Sequence, residues 1–198
     1  MLVVIRGNSA SGKTTVAAAI RAKRAARDLA IVSQDVLRRD VLREHDVPGG
    51  ANIRLIELAA RHATASGFHV IVEGILSTDH YGQMLTTLIS THPGPVFAYY
   101  LDIPFDETLR RHATKAEAAA YGADEMRGWY RERDLLPDGI EQVIPAESTL
   151  EQTVTRIMTE AGLSQHAVAE DQGPGGTLRR LLRHDPRQPR VPRPYRRP

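Results

Sequence analysis

Residues 7–14 read Gly-Asn-Ser-Ala-Ser-Gly-Lys-Thr, a set of residue types and spacings suited to holding a chain of phosphates. Gly7 and Gly12 accept backbone angles, and a close approach to phosphate, that a Cβ would block. The backbone from Asn8 through Ser9, Ala10 and Ser11 to Thr15 would turn its N–H groups toward the phosphates. Lys13 reaches the β- and γ-phosphates, and the Thr14 hydroxyl is a ligand for Mg²⁺. Lys13 is one of three lysines, with Lys23 and Lys115, against 23 arginines. A chain that otherwise uses arginine keeps a compact ammonium where a point charge is needed. The expected ligand is a nucleoside triphosphate with Mg²⁺.

A phosphate loop is shared by kinases, GTPases, motors and switches, so the discriminating residues are those that follow the other apolar runs. Asp35 follows Leu29–Val32; an aspartate there can accept the proton of an acceptor hydroxyl and align its oxygen for attack on the γ-phosphate. It is equally suited to cap the helix starting at Val36. Glu73 closes Val70-Ile71-Val72, where a carboxylate can hold Mg²⁺ through water or serve structure alone. Asp102 competes for that role, but its proximity to Pro104 suits a turn or cap.

Between Thr108 and Asp134 lies a basic segment with Arg110, Arg111, Lys115, Arg127, Arg131 and Arg133, readable as a helical lid over about 108–134. Cations on such a segment neutralise charge on a transferring phosphoryl group. Arg127 and Arg131 are spaced to share a helix face and are the catalytic candidates; Arg131 is also the candidate phosphate ligand, and Arg111 the candidate for stacking on adenine. The alternative is a solvated face pairing Asp124 with Arg127 and Asp134 with Arg131. Arg38 and Arg39 suit either an anionic acceptor or solvent. His62, His69 and His112 read as surface residues, and Trp129-Tyr130 as packing beneath the lid.

These residues need elements to position them. Five apolar runs, Leu2–Ile5, Leu29–Val32, Phe68–Val72, Val96–Leu101 and Gln142–Ile144, alternate with helical patterns, which argues for a parallel sheet covered on both faces. Helices are expected near 13–27, 36–43, 52–66, 79–90, 105–112, 124–133 and 149–161. Tyr81, Met84, Leu85, Leu88 and Ile89 form an apolar stripe; Ser148 with Glu151 reads as a capping box, and Gly162 as a stop.

The 198 residues, 41% hydrophobic and 25% charged, suit one domain, expected over 1–163. The absence of cysteine excludes disulfides, thiol catalysis and thiolate zinc sites. No secretion signal or membrane span is legible, so a cytoplasmic location is expected. Residues 1–163 hold 18 basic and 21 acidic side chains, and 164–198 hold 8 and 3. The domain is therefore mildly acidic, and nucleic acid is an unlikely partner except through the basic tail. That Arg/Pro-rich tail lacks apolar surface and is expected to be disordered, either a solvated extension or a tether for a polyanion or partner.

With Gly7–Thr15, Asp35, Glu73-Gly74 and the run Tyr100-Leu101-Asp102-Ile103-Pro104-Phe105-Asp106-Glu107 leading into Leu109-Arg110-Arg111, the chain resembles small P-loop kinases. That group includes chloramphenicol phosphotransferase, zeta-toxin-type kinases, and gluconate and shikimate kinases. The resemblance implies a P-loop NTPase fold, a doubly wound α/β sheet of five parallel strands in order 2-3-1-4-5, and a helical lid. It further implies ATP as donor, Mg²⁺, Asp35 as base, an acceptor pocket built by residues 35–56, and the loop Pro145-Ala146-Glu147 near the adenine. The expected activity is transfer of the γ-phosphate to a hydroxyl of a small molecule. A nucleoside or nucleotide kinase using Arg38, Arg39 and Arg54, and a non-catalytic ATP-binding switch with a partner-binding tail, are the alternatives.

Overall fold

The computed structural model describes residues 1–24, 26–114 and 121–163. Residues 115–120 of the expected lid and the whole of the expected disordered tail, 164–198, lie outside the described residues.

Five strands, β1 (Leu2–Gly7), β2 (Leu29–Ser33), β3 (His69–Glu73), β4 (Val96–Asp102) and β5 (Gln142–Pro145), form one sheet in the order β2-β3-β1-β4-β5. All four neighbouring pairs are parallel. Successive side chains on a strand point to opposite faces, and β1 shows the consequence. Val3 and Ile5 pack on Val16, Ile20, Val154 and Ile157; Leu2 and Val4 pack on Ile56, Ala60, Leu85 and Leu88. One face is thus covered by α1 (Lys13–Lys23) and α6 (Leu150–Glu160), the other by α2 (Ala51–Ala65) and α3 (Thr78–Ser90). α4 (Phe105–His112) and α5 (Ala123–Trp129) follow β4. The expected fold class and strand order hold. Among the described residues, no helix is long and apolar enough to cross a membrane.

The strands run past their apolar runs, so that Gly7, Ser33, Glu73 and Asp102 are themselves the last strand residues. Register aligns Ser33 and Ile5 with Glu73, Gly7 with Leu101, and Asp102 with Pro145. One rim of the sheet therefore collects the loop and the carboxylates, as open α/β sheets do at the carboxyl ends of their strands.

Several helices are shorter than their patterns. α1 stops at Lys23 because Arg24 turns extended and clasps Asp28 with two hydrogen bonds of 2.6 Å while reaching the Leu163 carbonyl at 3.2 Å. Residues 36–41 form a π-helical turn, Val36–Val41, closed by Leu42 N–H to the Leu37 carbonyl at 3.1 Å. The capping box of α6 is Thr149 with Gln152, each side chain bonding the other's backbone N–H at 3.2 and 2.9 Å. Ser148 bonds the Thr153 hydroxyl instead. The α3 stripe holds, with Tyr81, Met84, Leu85 and Leu88 buried, and Gly162 ends α6 at φ 64°.

Candidate functional site

β1 delivers Gly7 at φ 146°, where a Cβ would stand 2.7 Å from the Leu101 carbonyl oxygen and 2.9 Å from Ser11 Oγ. The loop can therefore close over β4 only with glycine there. Ala10 at φ 58° and Gly12 at φ 103° complete the wrap, and Gly12 caps α1. Lys13 is 7% exposed, and its ammonium donates to the Asn8 carbonyl at 2.7 Å and to Ser11 Oγ at 3.2 Å. A cation held against a turn at a helix N-terminus is the electrostatic partner of a phosphate chain.

Thr14 Oγ1 donates to Glu73 Oε2 at 3.1 Å, and Glu73 is 2% exposed. A hydroxyl and a buried carboxylate converging beside the loop are the hard oxygen donors that suit Mg²⁺ when phosphates and waters complete its shell. The residues present fit that ion. Asp102 instead faces Arg133, with Nε at 3.7 Å.

Asp35 joins this group. It lines one narrow cavity, about 90 Å³ in volume, with Lys13, Thr14, Arg39, Glu73 and Trp129. Its Oδ1 lies 3.1 Å from both Arg38 and Arg39, because the widened turn brings both guanidinium groups back over the carboxylate. Arg38 and Arg39 are thus bound to Asp35, and Arg54 pairs with Glu57 at 2.6 Å. Beneath this corner, Gln34 is buried and ties β2 to the loop after β3, accepting from Leu76 N–H at 3.0 Å and donating to Asp46 at 3.2 Å.

A larger cavity of about 610 Å³ opens on the other side of the loop, lined by Gly12, Thr15, Arg111, Pro145, Ala146 and Glu147 among others. Arg111 is braced there, donating to the Ser11 carbonyl at 3.1 Å and to Glu107 at 2.7 Å. The cavity has room for a nucleobase and ribose.

Arg110 also lines this cavity, whereas the Arg127 and Arg131 guanidinium groups sit elsewhere. α5 ends at Trp129, so Arg127 and Arg131 do not share a helix face. Arg127 lies over the Phe105 ring at 4.1 Å, and the Arg131 guanidinium donates to the Gly128 and Tyr130 carbonyls at 2.9 and 3.2 Å. Neither ion pair of the solvated-face alternative forms among the described residues: Arg127 turns to Phe105, and Asp134 binds Arg6 at 2.9 Å in place of Arg131. Arg110 pairs with Glu107. His112 is buried rather than exposed, stacked on Tyr121 at 4.4 Å, and Tyr121 meets Trp129 edge-on at 5.1 Å. Tyr130 packs against Phe105, whereas Trp129 is 44% exposed and faces the cavity with Asp35.

Two polar devices escaped the sequence reading. The Asn8 side chain grips both backbone groups of Arg131, accepting from its N–H at 2.9 Å and donating to its carbonyl at 2.7 Å. The returning limb of the lid segment is thereby fastened to the phosphate loop. Tyr100 joins the clasp through its hydroxyl, 3.3 Å from Asn8, Arg131 and Asp134 backbone or side-chain groups. Burial pushes the Tyr100 phenol up to about 12, so it keeps its proton as a donor. Arg6, wholly buried on β1, donates to the Leu76 carbonyl at 2.9 Å and to Glu141 and Asp134 carboxylates at 2.8 and 2.9 Å. The signal for it was a charged residue inside an otherwise apolar strand.

The sheet order, the glycine-bounded loop at the head of α1 and the Thr14–Glu73 pair define a P-loop NTPase fold with a nucleotide-binding loop. Within that class the chain belongs to the AAA domain family, whose model matches residues 2–129. Among solved structures it is similar to the APS kinase CysC of Mycobacterium tuberculosis in complex with AMPPNP and APS, at 17% identity and TM-score 0.63, covering 81% of this chain and 96% of that one. It is also similar to a gluconokinase from Sinorhizobium meliloti, at 16% identity and TM-score 0.53, covering 81% and 90%. A third, Kti12 of Chaetomium thermophilum in complex with ADP-AlF3, shares 17% identity at TM-score 0.53, covering 83% and 100%. At these identities the likeness establishes the fold. No curated protein matches the chain.

Proposed function

We propose that the protein is an ATP-dependent phosphotransferase that moves the γ-phosphate to a hydroxyl of a small-molecule acceptor. The observation that carries the reading is the shared cavity of Lys13, Thr14, Glu73 and Asp35, which sets a candidate base beside the phosphate loop. The fold shared with a gluconokinase and an APS kinase supports it, as does the sequence resemblance to chloramphenicol phosphotransferase, zeta-toxin-type, gluconate and shikimate kinases.

In this reading the amides of residues 8–15 and the Lys13 ammonium bind the phosphates, and Arg111 closes the base cavity. Thr14 and Glu73 would hold Mg²⁺, which when bound would neutralise charge on the phosphates. Arg38 and Arg39 both bind Oδ1 of Asp35, which orients the carboxylate and offers Oδ2 to the acceptor. Asp35 takes the hydroxyl proton as the acceptor oxygen bonds to the γ-phosphorus, and the bond to the bridging oxygen breaks to release ADP. Trp129 covers the cavity and limits water, which would otherwise compete as acceptor.

The test is Asp35→Asn in an ADP-release screen over metabolites and antibiotics, with ³¹P NMR on each hit. Loss of a general base lowers turnover by about 10²–10⁴-fold, while ATP affinity stays at the wild-type value. Full transfer by Asp35→Asn would sink the base assignment. Strong ATP binding with no acceptor-stimulated ADP release would replace the kinase by a nucleotide-binding switch.

A further inference from the structure

Resting on that reading, we propose the class of the acceptor: an alcohol whose reacting hydroxyl carries no neighbouring phosphate or carboxylate and whose body is apolar. Its body lies in a groove of about 590 Å³ between α1, β2 and the π-helical turn.

Three observations point there. The groove is walled by Ala17, Ala18 and Ala22 of α1, by Ile31 of β2, and by Val36 and Leu37 of the turn. Small side chains on the helix leave the space, and Val36 is 48% exposed although apolar. An apolar concavity with a few converging polar groups is the usual form of a small-molecule site. Second, the groove runs into the reaction cavity, because Thr14 and Glu73 line both, and Ser33 and Val36 bracket the Asp35 corner. A molecule filling it brings its inner end to the candidate base and the γ-phosphate position.

Third, the cations that would hold an anionic acceptor near that end are committed. Arg38 and Arg39 bind Asp35. Taking them for an acceptor phosphate would strip Asp35 of both partners. Arg21 is the cationic lining residue of the groove; it stands seven residues beyond Thr14 on α1, about 10 Å along the axis. It therefore marks the outer end and sets the length of the body, and a polar group is accommodated there rather than beside the transferred phosphate.

The experiment pairs 4-butylbenzyl alcohol and 1-octanol with gluconate and AMP as probes. Binding to the full chain loaded with a non-hydrolysable ATP analogue is read by saturation-transfer NMR, and transfer by ADP release. Ala18→Phe fills the groove from the exposed side of α1, and Ala22→Phe serves as the second variant. The stabilisation of each by ATP in thermal unfolding verifies the fold and the loop. The expected result is binding and transfer with the apolar alcohols, and a loss of about tenfold in their affinity in the variants, equivalent to about 1.4 kcal/mol. ATP stabilisation stays unchanged. Transfer to gluconate or AMP that Ala18→Phe leaves intact overturns the groove assignment while the kinase reading stands. Apolar alcohols that fail to bind the wild-type chain overturn it as well. Alcohols that bind, are displaced by Ala18→Phe and yet release no ADP support the groove and instead remove the kinase reading.

Discussion

Replacing Arg6 by Met should destabilise the fold more than any exposed substitution at the site. The guanidinium is 0% exposed and neutralises two carboxylates, of which Glu141 is 0% and Asp134 18% exposed at the side chain. It also satisfies the Leu76 and Asp134 carbonyls at 2.9 and 3.0 Å. Methionine fills similar volume, so cavity formation is minor and the loss comes from the carboxylate left in the core. Removing one partner of a buried ion pair costs about 3–5 kcal/mol, a large share of the roughly 5–15 kcal/mol that holds a domain together. Urea unfolding monitored by circular dichroism would read this as a lower midpoint at constant slope. The double variant Arg6→Met/Glu141→Met should recover at least half of the loss. Its remaining carboxylate, Asp134, is partly exposed and still accepts from Thr78 N–H at 2.9 Å. A loss below about 1 kcal/mol in the single variant, within the range of one ordinary hydrogen bond, would refute the reasoning. So would a double variant no more stable than the single one.

Glu73→Gln keeps the shape and the hydrogen-bond capacity for Thr14 but removes the charge; it should raise the Mg²⁺ concentration needed for half-maximal ATP hydrolysis or transfer by about tenfold or more, and an unchanged Mg²⁺ titration would contradict the Thr14–Glu73 assignment. Trp129, the sole tryptophan of the chain, lines the cavity with Lys13 and Thr14, so its emission should shift on addition of a non-hydrolysable ATP analogue with Mg²⁺ and stay constant in Lys13→Ala. Acid should weaken the fold through a defined set of carboxylates. Hydrogen bonds from Arg24 to Asp28, Arg61 to Glu57, Arg111 to Glu107 and Tyr99 to Glu160 each lower the carboxylate below its ordinary value. Groups depressed in the folded state stabilise it fully above the unfolded value, near pH 4, and that contribution is lost as pH falls through the folded values. The urea midpoint should fall from about pH 6 to about pH 3, and a constant midpoint would overturn the account.

What was legible along the chain was what depends on neighbours in sequence. The phosphate loop occupies eight consecutive residues, so its glycine spacing, lysine and threonine are read directly. The strands are legible because apolar runs are their physical cause, Glu73 because it closes such a run, and Asp35 because it follows one within three residues. Legibility ended where two local solutions fit equally well. Ser148 with Glu151 and Thr149 with Gln152 are overlapping capping-box patterns one residue apart, and the folded chain forms the second. The same limit applied to α5, whose sequence continues in a helical register to Arg133 while its backbone leaves the helix after Trp129.

The reason lies in long-range polar pairing. Asn8 captures the backbone of Arg131 across 123 residues, and Arg6 reaches Asp134 and Glu141 across 128 and 135. Hydrophobic periodicity states which face of an element is buried, but not which buried polar groups will meet; that depends on strand order and register. Sequence alone thus determined the phosphate loop, the strand rhythm and the candidate carboxylates. Tertiary structure decided that Arg38 and Arg39 serve Asp35, that Arg127 lies over Phe105 while Arg131 meets the phosphate loop through its backbone and not its guanidinium, and that Trp129 faces the cavity. Each of those choices was made by the partner that the folded sheet brought within hydrogen-bonding or stacking distance, which no spacing along the chain encodes.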